Sequence, residues 1–339
     1  MNRFVSLFSG FGGAALGARL AGLTPVWGVD REPRVVGVAR RNGFDVTCSD
    51  IREVNFADVP PHEVGQASPE CTRVSDANAN KGETKEDTMQ ADAVVRYLHA
   101  CEPAHFVLEN VRGYEGTESL RRIRAALDEL GYDHTSAVLC AADYGTPQTR
   151  RRLILTASRI GRAKLPTPTH AEHPEPVDLF GFEAPSWNGW YDAIADLLPG
   201  LSDCDLAPWQ RKRLPGPWDS MLVSQNGYEG AVHTLGVDRA LLIQTGNSSD
   251  TQAAPGVGCL DADAPANTVY AKPPAVGAVK TAPHVRTVRL SSRCLARFQD
   301  FPDDYWLPEA VGLACLGIGN AWPPRFAAAV LSAPGSSAP

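Results

Sequence analysis

The chain has 339 residues, of which 43% are hydrophobic and 21% charged, with a formal net charge of −7. That length can bury a large core and form one large domain with a smaller one, and the acidic balance argues against an indiscriminately basic nucleic-acid coat while allowing a local basic cleft. No stretch approaches the roughly 20 apolar residues of a membrane span and no basic segment with a long apolar run opens the sequence, so a cytoplasmic protein with no membrane association is expected; eight scattered cysteines without a C-x-x-C pair offer no zinc site and no disulfide framework.

The stretch Arg3 to Asp30 organises the rest. Phe4, Val5, Leu7 and Phe8 form an apolar run bounded by a glycine turn and read as a buried strand; Ala14 to Ala21 has the character of a helix packed on it, and Pro25 to Val29 reads as a second strand. Gly10, Gly12 and Gly13 let the backbone approach a ligand at the tip of the first strand, where a helix N-terminus presents free N–H groups. Asp30 closes the second strand with a carboxylate spaced to accept hydrogen bonds from a ribose. The ligand is then a nucleoside derivative, although glycine spacing by itself also suits a turn that merely shapes the backbone.

A short helix over Pro33 to Asn42 and a strand over Phe44 to Cys48 follow, the latter delivering Asp50 to the same sheet edge as Asp30 and Gly10. Val64 to Ser75 (VGQASPECTRVS) reads as a proline-containing loop centred on Cys71, and the polar stretch Asp76 to Thr88 as a mobile loop. Met89 to Cys101 is expected to be helical. His105 to Glu109 is expected to be a buried strand ending on the polar pair Glu109 and Asn110, followed by a helix over Thr117 to Leu130. Short strands at Val138 to Leu139 and Leu153 to Ala157 flank YGTPQTRRR. This alternation predicts a doubly wound α/β sheet. From Lys164 prolines and glycines become frequent, helical periodicity weakens, and Trp187, Trp190 and Trp209 stand in loop-like surroundings, which predicts a smaller irregular domain to about residue 309; Gly312 to Leu331 returns to helix, and residues 334–339 read as a disordered tail.

A cysteine taken alone is usually buried and inert. Two further features single out Cys71: Glu109 at the end of a neighbouring strand as acid or base, and Arg150 and Arg152 in the loop after Gln148. A thiolate, a carboxyl group and a guanidinium at one edge of a nucleoside-binding sheet suit nucleophilic attack on a planar heterocycle. Arg211 to Arg213 and the run Arg286, Arg289, Arg293, Arg297 are candidates for a basic cleft or for a solvated face.

In this order the motifs resemble those of the DNA (cytosine-5)-methyltransferases over nearly the whole chain. FSGFGG (Phe8, Ser9, Gly10, Gly12, Gly13) looks like the S-adenosylmethionine loop, Asp30 with Arg31 like the ribose contact, and Asp50 with Ile51 like the adenine-contacting pair. SPECT is similar to the loop of the catalytic cysteine, ENV (Glu109 to Val111) to its acidic partner, and Gln148, Arg150 and Arg152 to the pattern Q-x-R-x-R. RTVRLSSRCLARFQDFPDDYW resembles the motif that braces the recognition domain, and GIGNAWPP with Asn320 the last cofactor motif.

The resemblance implies a Rossmann-like S-adenosylmethionine-dependent methyltransferase domain over residues 1–163, completed by 310–333, with a target-recognition domain over 164–309. It implies Cys71, Glu109, Arg150 and Arg152 as catalytic residues, S-adenosylmethionine as cofactor, no metal, and double-stranded DNA as partner. The protein is expected to be a monomer in a bacterial or phage-infected cell, with a cognate restriction endonuclease as a candidate companion. The family has proline before its cysteine and glutamine after it, where this chain has Glu70 and Thr72; glutamate lacks proline's fixed φ and would raise a nearby thiol's pKa. That departure supports one alternative, the same fold acting on tRNA or a modified pyrimidine; a catalytically inactive DNA-binding relative is a separate alternative, against which the presence of Cys71, Glu109 and Arg152 together argues. Asp30 in place of the commoner glutamate is a milder change.

Overall fold

The computed structural model describes residues 2–70, 82–174, 184–202, 241–243, 259–260, 263–269, 278–281 and 286–333. Expectations for Cys71, Thr72, Ser75, Trp209, Arg211 to Arg213 and the tail 334–339 lie outside these residues.

Seven strands form the central sheet in the order β3-β2-β1-β4-β5-β8-β6: β1 Arg3–Leu7, β2 Thr24–Asp30, β3 Val46–Cys48, β4 Val64–Ala67, β5 His105–Asn110, β6 Asp133–Cys140 and β8 Arg151–Ser158. β1, β2, β3, β4 and β5 pair in parallel, while β8 runs antiparallel to both β5 and β6. Successive strand residues feed two separate cores, as the period-2 geometry of a strand requires when both faces are covered. Phe4, Val64, Val107 and Ile154 join one cluster, and Val5, Leu7, Phe106, Leu108, Leu153 and Leu155 the other. Helices α1 Gly13–Leu20 and α2 Pro33–Arg41 cover the first face; α3 Lys85–Cys101 and α4 Glu118–Glu129 cover the second.

The loop expected over 64–75 begins instead as β4, a buried strand at the centre of the sheet. Its four residues carry no apolar alternation, because two of them serve neighbours: Gly65 leaves room for the Tyr97 hydroxyl, which a Cβ would meet at 2.1 Å, and Gln66 accepts from Ser6 Oγ at 2.8 Å. The polar stretch before α3 is also partly ordered by a capping box. Thr84 Oγ1 accepts from the Asp87 N–H and Asp87 accepts from the Thr84 N–H, so the helix starts at Lys85 and not near Met89.

The C-terminal segment, expected as one helical stretch, is two helices, α7 Val311–Asn320 and α8 Pro324–Ser332, because Pro323 and Pro324 interrupt the chain between them. α8 lies on α1, where Gly17 permits contact so close that a Cβ would sit 2.5 Å from Ala327 Cβ.

The 164–309 stretch is less irregular than its composition suggests. Its described residues include α5 Trp190–Ile194, α6 Ser292–Phe298, and a four-stranded sheet ordered β10-β9-β12-β13 from Leu241–Ile243 (β9), Cys259–Leu260 (β10), Ala278–Thr281 (β12) and Arg286–Arg289 (β13). Ala266–Asn267 (β11) pairs in parallel with Gln148–Thr149 (β7) in a separate two-stranded sheet, stitching this stretch to the chain that leads into β8. Among the described residues no helix is long and apolar enough to cross a membrane.

Candidate active site

The parallel strands β1, β2, β4 and β5 end on one edge, where the glycine turn, Asp30 and Glu109 stand; Cys71 lies outside the described residues. At the tip of β1 the chain turns through left-handed conformations at Phe8 (φ 61°), Gly10 (φ 55°) and Gly12 (φ 88°). A non-glycine residue in that region is strained, and such strain concentrates at ligand-binding turns. A Cβ on Gly10 would meet nothing within 4 Å, so this glycine borders open space, whereas one on Gly13 would lie 2.3 Å from the Trp322 carbonyl oxygen. Residues 321–322 are thereby pressed onto the turn, and they directly follow Asn320, the exposed last residue of α7.

Asp30 ends β2 with its carboxylate fixed by two backbone donors, Gly10 N–H at 2.9 Å and Glu32 N–H at 3.1 Å. The carboxylate retains further acceptor positions for a ligand hydroxyl. Asp50 receives Arg52 through Nε (2.8 Å) and Nη2 (2.5 Å), and this hydrogen bonding lowers its pKa to about 2. Ile51 is buried in the same core cluster as Val29 and Phe56.

On the other side of the edge, Glu109 at the end of β5 is buried, with Arg152 Nε of β8 at 3.1 Å from its Oε1. Antiparallel pairing of β5 with β8 sets this meeting. Arg150 is 2% exposed and its Nη1 donates to the Val269 carbonyl at 3.3 Å, toward the segment that carries β11.

Several residues named in the motifs, but not among the expected catalytic and cofactor-binding residues, organise the site. Asn110 donates from Nδ2 to the Pro69 carbonyl at 2.9 Å, tying the end of β5 to the chain two residues before Cys71; the polar ending of an otherwise apolar strand and its place in ENV were its signals. Buried Gln148 donates to the Phe298 carbonyl (3.0 Å) and accepts from the Val269 N–H (2.9 Å). Arg293 donates to the Pro302 and Tyr305 carbonyls, and the Tyr305 hydroxyl donates to the Phe11 carbonyl inside the glycine turn. Arg297 joins Asp196 and Asp303 in ion pairs. These two arginines hold the fold together, and the late motif braces the glycine turn as well.

With the glycine turn, the Asp30 carboxylate and the Glu109–Arg152 pair in place, similarity to known proteins decides the family. Residues 2–213 match the family model described as C-5 cytosine-specific DNA methylase. The chain belongs to that family. As a C-5 cytosine-specific DNA methylase it is a methyltransferase acting on DNA, and enzymes of this family generally depend on S-adenosylmethionine. It is 30% identical over 229 residues to the Type II methyltransferase M.AquIA of Picosynechococcus sp., covering 60% of this chain and 92% of that protein. It is 32% identical over 161 residues to M.NlaX of Neisseria lactamica, covering 46% of this methylase and 51% of the relative, about half its length. Two solved structures share the fold: S. pombe Dnmt2 methyltransferase (TM-score 0.63, 14% identity, 98% of this chain and 97% of that one) and a putative DNA modification methyltransferase encoded within an E. coli prophage (TM-score 0.60, 19% identity, 98% of each).

Proposed function

We propose that the enzyme swings a cytosine out of double-stranded DNA and methylates its C5 by covalent catalysis through Cys71. The observation that carries this is the pairing of Glu109 with Arg152 at the end of β5, beside Asn110, which holds the chain just before Cys71. C5 cannot be reached inside the base stack, so the base must leave it. The Cys71 thiolate forms a bond to C6 and pushes an electron pair into the ring. Glu109 meets N3 as negative charge builds there, and Arg152 binds O2. Base-catalysed loss of the C5 proton after methyl transfer then expels the thiolate and restores the aromatic ring.

The donor set fits S-adenosylmethionine. Asp30 would accept from the ribose, Phe8 to Gly13 would line its methionine side, Asp50 and Ile51 would flank the adenine, and Asn320 would close the site. When bound, this cofactor supplies an electrophilic methyl group. Residues 164–309 would read the target, with Arg150 bracing the segment around Val269 and loops within 185–260 choosing bases. We further propose a monomer in the cytoplasm, with a restriction endonuclease as candidate companion; the Type II names of the relatives support this last reading.

Glu70 and Thr72 alone favour a changed acceptor, tRNA or a modified pyrimidine. The Glu109–Arg152 pair speaks against an inactive relative. The test is trapping: DNA with 5-fluorocytosine at the target should become covalently attached to the parent protein, since fluorine cannot leave C5 as a proton does, and Cys71→Ser should lose attachment and turnover while still binding DNA. Equal trapping by Cys71→Ser would remove Cys71 as nucleophile.

A further inference from the structure

Among the described residues, the edge that holds Asp30 and Asp50 also carries a line of charged side chains that the reaction scheme leaves unused. Arg52, bound to Asp50, donates from Nη1 to Glu86 Oε2 at 2.9 Å. Glu86 lies in the first turn of α3 and receives Arg31 Nη1 on its other oxygen at 3.2 Å. Arg31 Nη2 in turn donates to Glu70 Oε2 at 2.6 Å, and the Glu70 N–H donates to Gln90 Oε1 of α3 at 2.8 Å. Asp50, Arg52, Glu86, Arg31 and Glu70 thus link the tips of β2, β3 and β4 to the start of α3. The guanidinium of Arg31 joins the residue that precedes Cys71 in the chain to the helix that begins after it.

We infer that Arg31 and Glu70 are positioning residues for methyl transfer, setting the chain that enters Cys71 against the strand tips that carry Asp30 and Asp50. The inference rests on the cytosine-methylation reading for its kinetic consequence. It assigns Arg31 a task different from the cofactor contact that its place beside Asp30 suggests, since both its Nη atoms serve carboxylates of the protein. It also gives Glu70 a reason to be acidic. Proline would fix this point of the chain through its own ring; here a carboxylate held by Arg31 and a backbone N–H held by Gln90 fix it from outside. Partial burial raises the pKa of Glu70, Arg31 opposes that shift, and Asp30, Glu86 and Asp87 add to it, so the carboxylate depends on its guanidinium partner.

Each pair is about half exposed, with Arg31 at 47% and Glu70 at 50%. Pairs of that exposure contribute little to folding. Loss should therefore show in positioning and not in the melting temperature.

The test is a double-mutant cycle on the full chain. Arg31→Ala and Glu70→Ala should each lower kcat about fivefold, a loss of the size one such pair can carry. S-adenosylmethionine affinity by calorimetry should stay within about twofold, and the double variant should be no slower than either single one. Amide exchange gives a second readout independent of turnover: the Glu70 amide and the first turns of α3 should exchange faster in both single variants. If Arg31→Ala weakened cofactor binding about tenfold while Glu70→Ala did not, Arg31 would be a cofactor ligand and the inference would fall. It would fall equally if the two losses multiplied, or if neither variant altered exchange. Failure of the cytosine reading shows separately, as absence of methyl transfer by the parent protein, and leaves the exchange readout to decide whether Arg31 and Glu70 position the chain.

Discussion

The packing of residues 321–322 onto the glycine turn can be tested with one methyl group. In Gly13→Ala the new Cβ would stand 2.3 Å from the Trp322 carbonyl oxygen and 3.3 Å from the Ala321 Cβ. The closer atom is backbone and cannot rotate away, so either α1 or the segment 321–322 between α7 and α8 must shift. Overpacking of this kind costs about 1–3 kcal/mol. If about 1.4 kcal/mol of it is relieved in the free protein by moving residues 321–322 off the turn, and must be restored when cofactor binds, affinity falls about tenfold. Gly17→Ala meets Ala327 Cβ at 2.5 Å one turn further along the same helix pair. It should cost similar stability with a smaller loss of affinity. Gly37→Ala in α2 meets nothing within 4 Å and should gain about 0.5–1 kcal/mol from helix propensity. Denaturant unfolding and calorimetric titration of the three variants read both quantities. A Gly13→Ala protein as stable and as tightly binding as the parent would refute the close approach of the C-terminal segment to the cofactor turn.

Other expectations concern single side chains. Burial of Asp300 raises its carboxyl pKa from 3.8 to about 6, against the pull of Arg325 at 3.5 Å. The folded protein therefore holds this proton where the unfolded chain has lost it, and stability should fall as pH rises from about 4 to 6. Asp300→Asn, tolerated at φ 61°, should flatten that fall and gain about 1–3 kcal/mol at neutral pH; an unchanged profile would disprove the assignment. Asp50 has the opposite sign: held at about 2 by Arg52, it contributes stability above the ordinary 3.8 that is lost as pH falls toward 2, and Asp50→Asn should remove that acid limb from the unfolding curve. Asp30→Ala should weaken cofactor binding by about tenfold or more, because two backbone donors already aim its carboxylate; equal binding would remove the ribose contact. Arg152→Ala should lower kcat by about a hundredfold through lost charge stabilisation at O2, with DNA affinity nearly kept, and loss of affinity alone would make it a phosphate contact.

What the sequence made legible lies where a short local pattern carries the chemistry. The glycine turn, Asp30 and Glu109 each close an apolar strand, and strand ends share an edge in such sheets. β4 escaped because Gly65 and Gln66 are chosen for Tyr97 and Ser6, neighbours that only the fold supplies. The Arg31 bridges span 39 and 55 residues and the Tyr305 bond to Phe11 spans 294, so no local window contains both partners. Arg150 and Arg152 are identical letters two positions apart; pairing of β5 with β8 brings Arg152 to Glu109, and the segment around Val269 receives Arg150.

As a C-5 cytosine-specific DNA methylase, this chain should methylate cytosine at C5 in DNA. Incubating the purified protein with double-stranded DNA and S-adenosylmethionine carrying a deuterated methyl group, then digesting the DNA to nucleosides for mass spectrometry, tests it most directly. Label should appear in 5-methyl-2′-deoxycytidine and be abolished by Cys71→Ser. Label on adenine or on the exocyclic nitrogen of cytosine, or label found in RNA and absent from DNA, would contradict it.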